Sequence, residues 1–341
     1  MTLRLISQTL QPTDAARVSR ETGAVLGGAV LGQPSALAVP AWPVQRIAAS
    51  LLGAGAAVVE ETWRADQSLV SGQSEGIAWS RAGNLLYGVI EVDEALFADA
   101  PASTPLQAAS NEAYRRIFRL LEAQQLPHLW RVWNYLADIT GESHGLERYR
   151  QFNIGRQDAF LEFSRGATGN VPAACAIGLA ESPLSIAFMA GDQPAVPVEN
   201  PRQVSAYHYP AAYGPRSPTF SRAALVYPPG QEILFISGTA SIVGHQTVHP
   251  GDVVSQCRET LANVAAVVAA ANRLGRSLPY ALNELSYRVY VRHAADFPAV
   301  RETLSPLIGA TAEVVYLQAD ICRADLLLEV EAMASHTLGN C

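Results

Sequence analysis

The second half of the chain alternates strand-like and helix-like segments in a regular order. Short apolar runs mark the strands, and apolar residues at every third or fourth position mark the helices. The predicted elements are strands at 223–227 and 232–237, a helix at 253–271, a strand at 284–291, a helix at 297–307, and the last strands within 314–332. This ββαβαββ order predicts a sheet with two helices packed on one of its faces.

The first half of the chain is less regular. Its sequence predicts strands at 56–62 and 85–92 and a helix at 106–125. The run HLWRVWNYLADIT then has the aromatic and β-branched residues of a strand. The run LERYRQFNIGRQDAF fits a helix or an ordered turn. The first half therefore also mixes strands with helices.

A proline-rich segment at 194–218 divides the chain. It contains YHYPAAYGPRSPTFSRA, which is too aromatic and too rich in arginine for a passive linker. We therefore predict an N-terminal domain at 1–200, a C-terminal domain at 201–341, and a pocket between or beside them. The N-terminal domain is predicted to be an α+β unit. A diverged copy of the C-terminal domain is one candidate for it.

Composition and charge argue against several classes of protein. With 341 residues, 49% hydrophobic and 16% charged, the chain has the composition of a globular protein. Its net charge of -7 argues against partners such as nucleic acid or an anionic membrane. The N-terminus lacks a basic region followed by an apolar run, and no apolar segment of about 18 residues occurs. We expect a soluble cytoplasmic protein.

Neither a metal site nor a nucleotide site is expected. The four cysteines lie far apart and form no CxxC pair. His245 and His249 have the spacing of helical metal ligands, but Pro250 would end a helix at that point. No GxGxxG follows a strand, and no GxxxxGK[ST] is present. We therefore expect no cofactor and no metal.

The last strand-like stretch carries the best clue to chemistry. It reads VVYLQADICRADLLLEVEA and places Cys322 seven residues before Glu329. The residues around Glu329 are apolar, and loss of water around a carboxyl group favours its neutral form. A carboxyl group with a raised pKa is a usable general acid. Glu331 would share a face of the strand with Glu329. The two side chains would lie a full strand repeat apart, so only one of them is expected to reach the reacting atom of a substrate.

Several sequence segments of the C-terminal half resemble the YjgF family of reactive-intermediate deaminases. They are ISGTAS, HPGDVVSQCRETLANVAAVVAAA, YRVYVRHAADFPAVRETL and LLLEVEAMA. The resemblance implies an α+β fold of the YjgF-like (chorismate-mutase-like) kind, a mixed sheet with helices on one face, and two such domains here. That family binds its imine substrate through an arginine on the strand before the EVEA-like segment. Here that strand has no arginine until Arg323, which disfavours imine deamination.

A second resemblance covers most of the chain. The runs WNYLADI, LERYRQFNIGRQDAF and PVENPRQVSAYHYPAAYGPRSPTFSRA, joined to the YjgF-like half, resemble the chorismatases. Enzymes of that family cleave the enolpyruvyl ether of chorismate and release pyruvate. The resemblance implies that Glu329 is the proton donor. It also implies that Cys322 determines the product, because this position is cysteine in enzymes that form 3-hydroxybenzoate and alanine in those that form a dihydrodiol.

Chorismate carries two carboxylates, so its pocket needs cationic or amide-rich groups at two ends. Guanidinium groups make the strongest such contacts, and a glycine allows close approach of the backbone. The candidates for substrate binding are Arg148, Tyr149, Arg156, Tyr207, Tyr213, Arg216, Ser237, Gly238 and Thr239.

The sequence therefore predicts a cofactor-independent chorismatase that forms 3-hydroxybenzoate and pyruvate. The alternatives are a dihydrodiol-forming chorismate hydrolase and a producer of mixed 3- and 4-hydroxybenzoate. More distant alternatives are a YjgF-type imine deaminase and a binding protein for a small carboxylate. A second domain that covers one sheet face could replace the subunit contacts of trimeric relatives. We therefore expect a monomer, with a trimer as the alternative.

Overall fold

The computed structural model describes residues 2–10, 24–32, 40–55, 58–100 and 103–339. These ranges contain three large β-sheets, two small two-stranded hairpins and four α-helices, and no helix in them is long and apolar enough to cross a membrane. The first sheet has the strand order β1-β4-β2-β3. Its strands are β1 (Leu3–Leu10), β2 (Ala24–Leu31), β3 (Val44–Ile47) and β4 (Val58–Ala65). The strand predicted at 56–62 corresponds to β4, although residues 56 and 57 lie outside the described ranges.

The second sheet has six strands in the order β11-β8-β12-β7-β6-β5. Its elements, with the small hairpin β9–β10, are β5 (Val70–Ser74), β6 (Ile77–Ala82), β7 (Leu85–Val92), α1 (Pro105–Ala123), β8 (His128–Ala137), β9 (Glu142–Ser143), β10 (Leu146–Glu147), α2 (Arg148–Glu162), β11 (Ala173–Leu179) and β12 (Leu184–Gly191). Thr104 caps α1, since its hydroxyl accepts a hydrogen bond from the Gln107 N–H at 3.2 Å, and Pro105 occupies the first helical turn.

The third sheet also has six strands, in the order β13-β14-β15-β20-β18-β19. Its elements, with the small hairpin β16–β17, are β13 (Val196–Val198), β14 (Ala223–Val226), β15 (Gln231–Thr239), β16 (Ile242–Val243), β17 (Gln246–Thr247), α3 (Val253–Leu274), β18 (Ser286–Val291), α4 (Phe297–Ile308), β19 (Glu313–Gln318) and β20 (Leu328–Thr337). Asp252 caps α3 by accepting from the Ser255 N–H at 3.0 Å. The ββαβαββ order predicted for this half is confirmed.

The two six-stranded sheets have one connectivity. Each begins with three antiparallel strands, continues through a helix, a strand, a second helix and an edge strand, and ends with a strand inserted at its centre. That last strand is β12 in the second sheet and β20 in the third, and it is antiparallel to both neighbours. The edge strand is parallel to its neighbour in both sheets. The mixed α+β fold with two such units is therefore confirmed.

The sheets face each other, and the helices lie outside. One apolar cluster packs α1 and α2 on the outer face of the second sheet, and another packs α3 and α4 on the outer face of the third. A third cluster fills the space between all three sheets. The backbones of Gly178 and Asp320 exchange two hydrogen bonds, at 2.8 and 3.0 Å, across this space. The inner layer thus joins the second and third sheets. It also positions the side chains of the candidate site.

Candidate functional site

Strand β20 divides its side chains between the two faces of the third sheet. Leu328, Val330 and Ala332 belong to the outer apolar cluster beneath the helices. Side chains of a strand alternate between its faces, so Glu329 and Glu331 point into the inner layer. Both are buried there. The two carboxyl groups lie two residues apart on the same face, as the sequence predicts.

A β-bulge in the neighbouring strand makes room for Glu329. The register between β15 and β20 shifts between Ile236 and Thr239, and Gly238 lies within the shift. A Cβ atom on Gly238 would lie 1.8 Å from Oε1 of Glu329 and 3.3 Å from Cβ of Cys175. Only glycine therefore leaves space for the carboxyl group at this point.

The surroundings of Glu329 favour its protonated form. Burial, with a further contribution from the negative charge of Glu331, raises the pKa of Glu329 to about 8 against the opposite effects of Arg131 and Arg222. No described side chain donates a hydrogen bond to this carboxyl group, in contrast to Glu331. Glu329 is thus a neutral acid near neutral pH, which agrees with the expectation from its apolar sequence context.

Glu329 lines a cleft of about 220 Å³ at one end of the inner layer. The walls come from the start of α2, from the proline-rich segment, from the bulge and from the loop between β19 and β20. The lining residues are Glu147, Tyr149, Arg150, Tyr209, Tyr213, Pro218, Phe220, Arg222, Gly238, Ala240, Ile242, Cys322, Arg323, Ala324 and Glu329. Both halves of the chain therefore contribute to one concave, largely aromatic site.

Cys322 lies on the loop between β19 and β20, so the stretch 314–332 is two strands separated by a loop. The thiol packs against the inner cluster and against the cluster beneath α1 and α2. Burial, with a further contribution from Glu329, raises the pKa of Cys322 to about 12. A thiol that stays protonated is a poor nucleophile, so Cys322 contributes shape and a weak dipole to the cleft wall.

Arg222 is a buried cation at the cleft. One guanidinium nitrogen donates to the backbone carbonyl of Val204 at 2.9 Å and to the hydroxyl of Tyr209 at 2.7 Å. Its Nε has no hydrogen-bond partner among the described residues. No described carboxylate forms a close ion pair with this guanidinium. A buried guanidinium with neutral partners can bind an incoming anion.

Arg323 is a second cation of the cleft. Its guanidinium carbon lies 4.3 Å from the ring centre of Tyr213 and 5.3 Å from that of Tyr209. It donates to the backbone carbonyl of His245 at 2.9 Å. Strand β19 itself carries no arginine, as the sequence predicts, and the loop that follows it brings Arg323 to the cleft lining.

Five of the predicted site residues meet at this cleft. They are Tyr149, Tyr213, Gly238, Cys322 and Glu329. Tyr149 comes from the first turn of α2, and Tyr213 from the proline-rich segment. The seven-residue spacing between Cys322 and Glu329 places one on the loop and the other at the start of β20, so that both side chains face one space.

The three arginines predicted to bind substrate lie outside the cleft lining, which corrects that interpretation. Arg148 donates to Glu94 at 2.6 and 3.1 Å, and Arg216 pairs with Asp158 at 3.2 Å on the surface. Arg156 is buried in α2. Arg148 and Arg216 are thus paired with carboxylates that lie far away in sequence, whereas Arg156 donates to the side-chain oxygen of Asn153 at 2.7 Å and lies over the ring of Phe152. The arginines of the cleft are Arg150, Arg222 and Arg323 instead.

Three other predicted contacts also lie outside the cleft lining. The Ser237 hydroxyl accepts from the Ala174 N–H at 2.9 Å and donates to the Ser221 carbonyl at 2.6 Å, so it joins two strands. The Thr239 hydroxyl donates to the carbonyl of Ser237 at 2.8 Å. Tyr207 packs edge-on against His208. Ser237 and Thr239 therefore stabilise the bulge that contains Gly238.

Comparisons with known proteins agree with this architecture. A family model described as chorismatase FkbO/Hyg5-like, N-terminal, matches residues 61–190. A chorismatase of Streptomyces rapamycinicus is 40% identical over 284 residues, which cover 81% of this chain and 82% of that protein. A 3-hydroxybenzoate synthase of Streptomyces hygroscopicus is 37% identical over 288 residues, 80% of each protein. A chorismatase crystal structure superposes with a TM-score of 0.85 at 32% identity, covering 98% of this chain and 99% of that one.

Proposed function

This chain belongs to the chorismatase family of enzymes, and we propose that it converts chorismate to 3-hydroxybenzoate and pyruvate. The observation that carries the proposal is the buried carboxyl group of Glu329, whose raised pKa favours the protonated form, in a cleft with two arginines that form no close ion pair with a described carboxylate. An acid of this kind is what cleavage of an enol ether requires.

The charges of the cleft suit a substrate with two carboxylates. Arg222 and Arg323 face the space in front of Glu329 and make their hydrogen bonds to neutral groups. Each can form a charge-assisted hydrogen bond to one carboxylate. The rings of Tyr209, Tyr213 and Phe220 give the cleft flat apolar walls that fit a cyclohexadiene ring. Arg150 is paired with Glu147 at 3.0 Å and is the weaker candidate.

The reaction begins with proton transfer from Glu329 to the methylene carbon of the enolpyruvyl group. This forms a C–H bond and leaves an oxocarbenium ion at the ether carbon. The ring C4 oxygen displaces the ether oxygen at C3, pyruvate departs as the ketone, and the hydroxyl proton returns to Glu329. The resulting epoxide opens at its C4–O bond and loses the C3 hydrogen, while its oxygen gains a proton. The two products together have the formula of chorismate.

Cys322 is proposed to favour this route over the addition of water. Formation of a dihydrodiol requires one water molecule at the cation, whereas 3-hydroxybenzoate requires none. The thiol fills the cleft wall where an alanine would leave additional space, and it contacts apolar clusters on two sides. A 3-hydroxybenzoate synthase among the similar proteins supports this choice of product.

Incubation with chorismate alone tests the function. We expect release of pyruvate without an added cofactor and an aromatic product that coelutes with 3-hydroxybenzoate. Cys322→Ala should keep pyruvate release and move part of the product to the dihydrodiol. An unchanged product ratio would limit Cys322 to packing. Absence of pyruvate from the wild-type protein, or release of ammonia from an imino acid instead, would overturn the proposal.

A monomer is part of the proposal. The inner face of the third sheet is covered by the first and second sheets of the same chain. A single chain therefore already buries the face on which a partner subunit could pack. Light scattering coupled to size-exclusion chromatography should give the mass of one chain, 36.4 kDa, and a mass three times larger would contradict this.

A further inference from the structure

Behind the cleft, the inner layer holds a cluster of buried charges from all three sheets. Glu331 of β20 accepts hydrogen bonds from Arg131 of β8 and, at 3.3 Å, from Arg288 of β18. Arg288 also donates to Glu61 of β4, through Nε at 2.8 Å and through a second nitrogen. The side chains of Arg131 and Glu331 are 2% and 5% exposed. Two arginines thus balance two carboxylates that are largely shielded from solvent.

Two tyrosines complete the cluster. The hydroxyl of Tyr290 donates to Oε1 of Glu331 at 2.8 Å, and it lies 2.6 Å from the hydroxyl of Tyr135. Arg288 reaches the Tyr135 hydroxyl at 3.3 Å. Glu331 therefore receives three donors, two of them cationic. Such a set stabilises the ionised carboxylate, which accepts hydrogen bonds only.

Glu329, two residues earlier on the same face, has a different environment. Opposite it in the register of β18 and β20 lies Tyr290, whereas Arg288 lies opposite Glu331. No guanidinium donates to Glu329 in the described part of the chain. The cluster is already neutral without it, so an ionised Glu329 would add one uncompensated charge to a buried site.

We propose that Glu331 is a positioning residue whose fixed negative charge, held by Arg131, Arg288 and Tyr290, keeps the neighbouring Glu329 in its acid form. The inference rests on the proposed role of Glu329 as proton donor. It explains why a buried and costly ion cluster lies directly behind the cleft instead of an apolar core. Two carboxyl groups about 7 Å apart, the repeat of two residues on a strand, interact strongly at low dielectric.

The other groups that face Glu329 do not supply a negative charge. They come from the strands and loops packed around it: Arg131, Tyr149, Cys175, Arg222 and Cys322. Burial raises the pKa of Tyr149, Cys175 and Cys322, so all three are neutral at physiological pH. The two arginines favour ionisation of Glu329. Glu331 is therefore the anion that opposes them.

The test compares Glu331→Gln with Glu61→Gln, which removes one carboxylate from the same cluster on the far side of Arg288. In Glu331→Gln, the alkaline limb of pyruvate release against pH should move down by about one to two pH units, a 10- to 100-fold loss of acid form at a fixed alkaline pH. In Glu61→Gln the alkaline limb should stay near its wild-type position. In Glu331→Asp, which keeps the negative charge, the alkaline limb should also lie near the wild-type position. Equal shifts in Glu331→Gln and Glu61→Gln would overturn the proposal.

A direct titration separates this inference from the proposed reaction. The carbonyl stretch of the protonated Glu329 carboxyl group is followed by infrared difference spectroscopy and assigned by its loss in Glu329→Gln. This band titrates whether or not the protein acts on chorismate. A midpoint that falls in Glu331→Gln supports the inference even if no pyruvate is released. An unmoved midpoint refutes it even if the enzyme is active.

Glu331→Gln leaves two guanidiniums short of a partner and could fail to fold. The paired variant Arg131→Met/Glu331→Gln removes one charge of each sign and is better tolerated. Since Glu331 affects Glu329 more than Arg131 does, the infrared midpoint should still fall, by less than in the single variant. A midpoint that rises in the paired variant would contradict the proposal.

Discussion

Strands β12 and β20 occupy the same central place in the two six-stranded sheets, yet they carry different inner faces. β12 reads LSIAFMAG and β20 begins LEVEAMAS, so the leucine, the methionine and the following alanine recur. At the two positions between them that face the inner layer, β12 has Ser185 and Ala187 where β20 has Glu329 and Glu331. The inner face of β12 has no carboxyl group, whereas that of β20 carries the proposed proton donor and a second carboxyl group two residues later.

The register between each of these strands and the neighbour that precedes its helices also differs. β7 runs beside β12 without interruption from Leu85 to Val92, whereas β15 is bulged beside β20, with Gly238 next to Glu329. A single connectivity therefore supports both a unit that packs and the unit that carries the proposed site. Both central strands have one register shift, which lies beside β8 for β12 and beside β15 for β20. Function in this fold depends on local changes within a shared architecture.

The largest effect is expected from making the inner face of β20 more like that of β12. Glu329→Gln removes the proton and keeps the shape, so pyruvate release should fall by roughly 10²- to 10⁴-fold. Chorismate binding, measured by calorimetry, should persist. Ser185→Ala, at the equivalent position of β12, serves as the control and should change turnover by less than about twofold. Comparable losses in both variants would remove Glu329 from the acid role.

The two halves also differ in the arginines that they supply. Arg222 and Arg323 come from the C-terminal half, and replacing either with methionine should raise KM for chorismate by about 10- to 100-fold, because one charged hydrogen bond to a carboxylate is lost. Arg216→Met, which removes a surface partner of Asp158, should leave KM unchanged. Steady-state kinetics decide the matter, and an equal effect of all three changes would contradict the assignment.

The bulge gives a smaller expected effect. Gly238→Ala places a methyl group against the Glu329 carboxyl and should displace it, which lowers kcat by roughly tenfold. A matched change at Gly339, where a methyl group meets open space, should have no effect on kcat. Normal turnover of Gly238→Ala would mean that the carboxyl group is not held at the position described.

The smallest expected effect concerns stability. The Glu329 carboxyl has its ordinary pKa of 4.5 in the unfolded chain and about 8 in the folded one. Between these pH values the folded state retains a proton that the unfolded state has lost, so the free energy of unfolding falls as pH rises. Glu329→Gln should remove this decline. The difference in the free energy of unfolding between the variant and the wild type should therefore be more favourable to the variant at pH 8 than at pH 5, by on the order of 1 kcal/mol or more. Urea denaturation at both pH values measures it, and parallel profiles would count against the raised pKa.

The elements were more predictable from the sequence than the site was. The helices at 106–125, 253–271 and 297–307 follow their apolar stripes, and β14, β15 and β18 follow short apolar runs. The sequence of α2 fits either a helix or an ordered turn, because its buried face includes Gln151, Asn153 and Arg156 and so lacks an apolar stripe. Periodicity detects burial of apolar residues and is silent about polar residues that are buried.

Two of the predicted arginines show what a local sequence pattern does not contain. Arg148 and Arg216 sit in aromatic surroundings in the sequence, but each is held by a carboxylate, Glu94 or Asp158. Arg222 and Arg323 had no local signal beyond flanking the segments that carry aromatic or apolar residues. Which chain segments meet at one edge of a sheet depends on long-range pairing, and a local pattern does not contain it.

The central place of β20 has a consequence for how the molecule is made. Both of its neighbours, β15 and β18, precede it in the chain. The third sheet stays open until β20 inserts between them, a non-local step of the slow kind in folding. Glu329 lies on that strand, so the proposed proton donor reaches the inner layer only when the sheet closes. A nascent chain that ends before Leu328 lacks both the central strand of the third sheet and the proposed proton donor.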